Sequence, residues 1–495
     1  MGRPRGADPG PRGDPEGGHR HHEGRDHPVG RHRLRDRPPA RPVRRGQGRR
    51  RGHAPARGGE GGGARVSWGG LDTAGITAPP AQARRLDTRR ILLLLGCVVV
   101  LLSVVRIVTD TAGLTSSGTY GAALRLAVPI LLAALGGIYA ERTGVANIGL
   151  EGMMILGTWF GAWGGWQFGA WWGVVLGITG GATGALIHAI ATVSFGVNQI
   201  VSGVAINILA AGVARFLSVV AFTGQGGGAT QSPQVTSELP RFTMPFLAGG
   251  DLFGWRSPDV LGWLERRRWF LVSDVSAMFR GFTLELSILT VMTLTLVPLT
   301  YLFLWRTRLG LRMRSAGENP WAAESLGVRV YTMKYVGVLI SGGLAGMAGA
   351  FLVLEAAGIY REGQTGGRGF IGLAAMIFGN WRPTGAAAAA GLFGYADALN
   401  LRSPEAVHAL VLFVAISLLA LGGYYAYRRR VVGASIALAL GALAAVWFGV
   451  TETVPREFIF ITPYVATLLV LAVASQRLRM PTYDGVTFRK GEQIS

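Results

Sequence analysis

AALRLAVPILLAALGGIYAERTGVANIGLEGMMILG, residues 122–157, holds two apolar runs on either side of a short, glycine-rich polar segment. A helix needs roughly 20 apolar residues to cross a bilayer's hydrocarbon, because nothing there satisfies free backbone groups. The first run meets that length. The segment ERTGVANIGLEG (141–152) then interrupts it with Glu141, Arg142, Asn147 and Glu151 set among Gly144, Gly149 and Gly152. A charge at membrane depth is costly unless paired or wetted, and glycines let backbones approach or break a helix beside a cavity. Glu141 and Arg142 also fit a solvated interfacial turn. Asn147 and Glu151, further in, fit that turn less well.

Working outward, apolar runs of spanning length occur at 91–109, 122–140, 148–165, 170–194, 199–222, 283–305, 335–357, 406–425, 432–451 and 457–475. Two shorter Gly/Ala-rich segments, 367–380 and 383–400, read either as short tilted spans or as one re-entrant pair. The expected fold is therefore all-α: a polytopic membrane protein of about 10–12 transmembrane helices. With 495 residues, 49% hydrophobic and 16% charged, the chain is too apolar for a soluble protein of its length. Cys97, the single cysteine, lies in the first run and excludes a disulfide framework or cysteine metal cluster.

The net charge of +21 does not argue for nucleic acid, because much of it sits in an Arg/Gly/Pro/His-rich N-terminal tail. That composition cannot offset ordering entropy, so residues 1–86 are expected to be a disordered basic tail that touches anionic headgroups. Its run HRHHEGRDHPVGRHR (19–33) reads as solvated, with weak metal binding as the alternative. The first apolar run begins too late, and is too long, for a secretory signal. Arg84, Arg85, Arg89 and Arg90, the loop 306–334, Arg428–Arg430, and Arg477 with Arg479 all fall on one side when the chain is threaded back and forth. The positive-inside rule makes that side cytoplasmic, with both termini, including the tail 481–495, and places the loop 223–282 outside.

IGLEGMM (148–154) and IGLAAMI (371–377) each follow a glycine-containing turn, and the threading gives them opposite polarity. Inverted repeats of this kind place a transport path at their interface, so the membrane domain 87–480 is expected to contain them. The candidate pathway residues are Asn147, Glu151, Asn198, Ser202, Asn207 and Asp397. Asn198, Ser202 and Asn207 recur near one helix face, where amides either bond a neighbouring helix or line a path. Asp397 follows a small-residue helix and has an outer-surface position as its alternative, and His188 and Arg215 read as packing or interfacial residues. In RSAGENPWAAESLGVRVYTMK (314–334), Pro320 starts a short helix, Ala322, Ala323 and Leu326 give it an apolar face, and Gly327 ends it. Such a helix between spans is what a peripheral partner grips. No phosphate-cradling GxxxxGK[ST] loop, HExxH or paired cysteines occur, so any nucleotide hydrolysis belongs to another chain.

Together, ERTGVANIGLEGMM, VNQIVSGVAIN (197–207), GENPWAAESLGV (317–328), ISGGLAGMAGAFL (340–352) and GRGFIGLAAMIFGNWRPTGA (367–386) resemble the permease family of ribose-type and branched-chain amino-acid ABC importers. Within it, the likeness is to the nucleoside branch that pairs with a basic-membrane-protein type lipoprotein. It runs from about residue 120 to 400 and returns in the last span and the tail YDGVTFRKGE. The resemblance implies a transport subunit without cofactor or catalysis, a second homologous permease subunit, a cytoplasmic ABC ATPase and an external solute-binding lipoprotein. It also makes Gly317, Glu318, Asn319, Pro320, Ala322, Ala323 and Gly327 the ATPase-coupling stretch. The basic tail and the hairpin 406–451 depart from the family pattern. An ion-coupled secondary transporter and an ABC permease for simple sugars are the rival readings.

Overall fold

The computed structural model describes residues 88–226, 228–252, 254–402, 404–452, 454 and 478–491. The expected basic tail and the expected span at 457–475 lie outside them. The described chain is almost wholly helical: α1 (Thr88–Thr109), α2 (Ser117–Glu141), α3 (Leu150–Phe168), α4 (Ala170–Ala189), α5 (Gln199–Phe222), α6 (Val260–Arg266), α7 (Val272–Gly281), α8 (Ile288–Arg306), α9 (Arg308–Glu318), α10 (Pro320–Ser325), α11 (Val330–Phe351), α12 (Arg368–Phe378), α13 (Pro383–Arg402), α14 (Pro404–Tyr427) and α15 (Val431–Val450). Strands are limited to two short antiparallel ladders, pairing Arg241–Phe242 with Leu286–Ser287 and Asp251–Leu252 with Trp255–Arg256.

Seven helices among the described residues are long and apolar enough to cross a membrane. α3 and α13 are of similar length, but glycines, tryptophans and polar residues such as Glu151, Gln167, Asp397 and Asn400 lower their hydropathy. α2 and α11 form the centre, each 78% buried over its most apolar window, whereas α5 is 22% and α15 17% buried. Glycine makes the centre tight. A Cβ at Gly157 would lie 2.3 Å from the Gly346 carbonyl oxygen, and one at Gly181 would lie 2.3 Å from that of Gly342. α3, α4 and α11 thus pack backbone against backbone, where dispersion between close surfaces replaces the hydrophobic drive that lipid removes.

Neither expectation for 367–400 describes what is found. α12 has 11 residues, about 16 Å of helix and half a bilayer, whereas α13 has 20 and full spanning length. The chain reaches α12 through residues 358–367, of which Tyr360 and Thr365 are buried and Gly367 meets Glu151 of α3. The loop 306–334 is more helical than expected: α9, amphipathic and rich in arginine, precedes α10 and lacked the apolar run that marks a span. α14 and α15 pack on each other and join through Arg428–Arg430, forming the hairpin expected at 406–451.

Candidate functional site

Inside the bundle, the first turns of α3 and α12 meet at one carboxylate. The first N–H groups of a helix have no partner within it and attract negative charge. Glu151, itself in the first turn of α3 and 7% exposed, accepts from Gly367 N at 2.9 Å through Oε1 and from Gly369 N at 2.7 Å through Oε2. Glycine is needed at 369, because a Cβ there would lie 2.6 Å from the backbone of Glu151. Asp397, on α13, is not drawn into this junction. It is half-buried, with Arg368 of α12 as the cation acting on it.

The break between α2 and α3 is held by side chains from three other helices. Asn147, fully buried, donates to Ser341 Oγ at 2.9 Å and accepts from Gly149 N at 3.1 Å. Asn207 accepts from Gly152 N at 2.7 Å and donates to the Ile148 carbonyl at 3.1 Å. Gln199 accepts from Ala146 N at 2.6 Å. His188 Nε2 lies 3.3 Å from the Ala146 carbonyl and so carries the hydrogen, leaving Nδ1 to accept from Ser202 Oγ at 2.9 Å. Asn147, Glu151, Ser202 and Asn207 are thus brought together. Asn198 is not: it is exposed and caps α5, accepting from Ile200 N at 2.9 Å and Val201 N at 3.2 Å. Gln199 and Ser341 escaped the sequence reading, which took His188 for a packing or interfacial residue. Each is a lone polar residue in an apolar helix, a pattern that equally marks ordinary helix–helix bonding.

Beside the junction lies a cavity of about 220 Å³, lined by Ile155 and Thr158 of α3, Ala211 of α5 and residues 360–365. Its lining is mixed: Thr158 and Tyr360 are buried, and the Gln364 side-chain nitrogen is buried without a hydrogen-bond partner. Arg215, read from the sequence as a packing or interfacial residue, pairs with Glu362 at 2.5 Å on the same wall.

A second cluster forms where the arginine-rich loop meets the bundle. Asn319 caps α10 by accepting from Ala322 N at 3.0 Å, and Pro320 takes the first helical position, where its missing N–H costs nothing. Gly327, with φ of +82°, stands just beyond the helix in a conformation that favours glycine. The expected apolar face divides: Ala323 is buried, whereas Ala322 is exposed and Leu326 is 85% exposed. Gly317 packs on the turn after α2, where a Cβ would lie 2.5 Å from the Arg142 carbonyl oxygen. Glu318 approaches Arg142 at 3.7 Å, and Arg142 donates to the Trp381 carbonyl at 3.1 Å. The Trp381 indole donates to Glu141, and Lys334 donates to the Gly144 carbonyl at 3.0 Å. The tail joins here, and burial pushes the Asp484 carboxyl up to about 6 against the pull of its hydrogen bond with Glu141 and of the Lys334 ammonium.

The comparisons with known proteins agree with this arrangement. Residues 119–419 match the model of the branched-chain amino acid transport system / permease component family. The guanosine ABC transporter permease protein NupQ of Bacillus subtilis is 30% identical over 384 residues, covering 75% of this chain and 96% of the relative. The nucleoside ABC transporter permease protein NupC of Lactococcus lactis is 30% identical over 376 residues, covering 74% and 94%. The putative glucose ABC transporter permease protein TsgC13 of Haloferax volcanii is 34% identical over 293 residues, covering 58% and 78%. No solved structure matches the chain. A multi-pass helical membrane protein, the chain belongs to this family of ABC transporter permeases and is a membrane transport component rather than an enzyme.

Proposed function

We propose that the chain is the permease subunit of an ABC importer that moves nucleosides across the plasma membrane. The observation that carries this is the junction at Glu151, where two helix starts meet beside a polar-lined cavity. Discontinuous helices with their positive ends inside the bundle are the device by which transporters put backbone polarity at mid-depth. The cavity offers an amide, a hydroxyl and an ion pair beside an apolar wall, which suits a neutral solute with a hydroxylated half and a flat half. The names of the two 30%-identical relatives point to the same solute class.

In this reading Asn147, Glu151, Ser202 and Asn207 shape the path from behind, by holding the break and the two helix starts. Thr158 and Gln364 face the solute. Asn198 and Asp397 stand at the margin. The end of the bundle that carries α9, α10, the turn after α12 and the tail is cytoplasmic. The convergence of these arginine-bearing segments supports that orientation, with both termini inside. There a cytoplasmic ABC ATPase grips Gly317, Glu318, Asn319 and the α10 helix, with Ala322 and Leu326 as its apolar contact. A second, homologous permease subunit completes the pathway, and an extracytoplasmic lipoprotein delivers the solute. Closure of the ATPase shifts α10 and rocks the helices around the junction between outward- and inward-open states.

Uptake of labelled guanosine, adenosine, glucose and leucine in cells lacking the gene tests the assignment. Loss of nucleoside uptake, restored by the wild-type chain and not by Gln364→Ala, is the expected result. Loss of glucose uptake alone would move the assignment to sugars.

A further inference from the structure

Residues 478–491 cross the same end of the bundle as an extended strap, and their contacts fall on both sides of the turn after α2. Arg479 N donates to Asn380 Oδ1 at 2.7 Å, which anchors the strap to the turn after α12. Tyr483 N donates to the Gly317 carbonyl at 3.0 Å, and Thr482 Oγ1 donates to Glu318 at 3.1 Å. The Tyr483 carbonyl oxygen lies where a Cβ on Gly144 would come within 3.1 Å, so one residue touches both α9 and the break that leads to Asn147. Further along, Phe488 is 3% exposed, with its ring 5.4 Å from Trp321 and 5.6 Å from Tyr331. Tyr483 approaches the same Trp321 ring at 5.2 Å. Lys490 reaches Glu324 at 3.7 Å.

α10 has six residues, too few to hold a helix by its own hydrogen bonds, so neighbours set its position. The Trp321 indole N–H is buried and makes no hydrogen bond, so ring packing on Tyr483 and Phe488 positions that side chain. We infer that the C-terminal strap is a positioning element for coupling, in which Tyr483 and Phe488 lock α10 to the break between α2 and α3, so that displacement of α10 is delivered to Asn147 and Glu151. This rests on the reading of α10 as the ATPase contact. Without the strap, α10 is joined to the break only through α9, whose Gly317 packs on the turn after α2, and less of its displacement arrives there.

The test is made on the permease purified with its ATPase and second subunit in proteoliposomes supplied with the solute-binding lipoprotein, reading complex recovery, ATP hydrolysis and guanosine uptake together. Phe488→Ala is expected to leave the complex and its ATP hydrolysis in place while uptake per ATP hydrolysed falls about tenfold. A merely structural role lowers recovery, hydrolysis and uptake in step. Phe488→Leu, which keeps an apolar side chain against Trp321, is expected to retain most of the uptake per ATP hydrolysed that Phe488→Ala loses. Unchanged uptake per ATP in Phe488→Ala overturns the inference, as does a defect as large in Phe488→Leu as in Phe488→Ala. Failure of the ATPase to co-purify with the wild-type chain would instead overturn the docking role of α10 itself.

Discussion

α3 starts with a carboxylate one residue past Leu150, whereas α12 starts with glycine on both sides of Arg368, and the two starts are held in different ways. At α3, the N–H groups of Gly149 and Gly152 are taken by Asn147 and Asn207, two amides from separate parts of the chain. At α12, the N–H groups of Gly367 and Gly369 are both taken by Glu151. One helix start is shared among neighbours, and the other depends on a single side chain. The pair therefore has a fixed leaf, held by several neighbours, and a dependent leaf, held by Glu151 alone.

The asymmetry can be broken in graded steps. Glu151→Ala leaves two buried N–H groups of α12 without acceptors and is expected to destabilise by about 2–6 kcal/mol, measured as thermal unfolding of the detergent-purified chain, with uptake lost. Equal effects of Glu151→Ala and Asn207→Ala would show that neither leaf is dependent. Gly369→Ala drives a methyl group into the Glu151 backbone and is expected to cost about 1–3 kcal/mol by the same measurement. Asn207→Ala removes one acceptor from α3 while Asn147 keeps its own, for an expected loss of about 1–2 kcal/mol.

Asn198→Ala removes only an exposed cap, for about 0.5–1 kcal/mol, with the ranking of transported solutes unchanged. An altered solute ranking in that variant would return Asn198 to the pathway. The smallest effect concerns the strap, whose Asp484 carboxyl has titrating side chains among its partners. Burial holds Asp484 at about 6, above the value of a free carboxyl, so the docked form keeps its proton longer than the released one. Docking is then strongest in acid and weakens as pH rises through about 6, with Glu141, Arg142 and Lys334 as the charged neighbours. Hydrogen exchange of residues 478–491 is expected to quicken across that interval, and Asp484→Asn is expected to flatten the change.

A contrast within the repeated motif shows why one chain of letters was not enough. IGLEGMM straddles the start of α3, but IGLAAMI lies wholly within α12, which begins three residues before it. By position from the helix start, the counterpart of Glu151 is Gly369 and not the aligned Ala374. The likeness of letters fell on two helices whose starts meet, but it aligned residues that differ in position from the helix start. The two helices meet through a carboxylate and backbone N–H groups, and a backbone donor has no letter of its own.

Much was legible without coordinates because bilayer physics is strict. Long apolar runs, the break at 141–152 and the short helix between Asn319 and Gly327 follow from length, burial cost and capping chemistry, each of which acts over a few residues. Partners across the fold were not legible. That Glu151 caps a helix 216 positions away, that Asn198 faces outward while Ser202 meets His188, and that the tail reaches Trp321 are outcomes of packing. A polar residue in a membrane helix must find a partner, so its presence announces a bond. Which bond it makes depends on the helix beside it, and only the assembled bundle puts that helix in place.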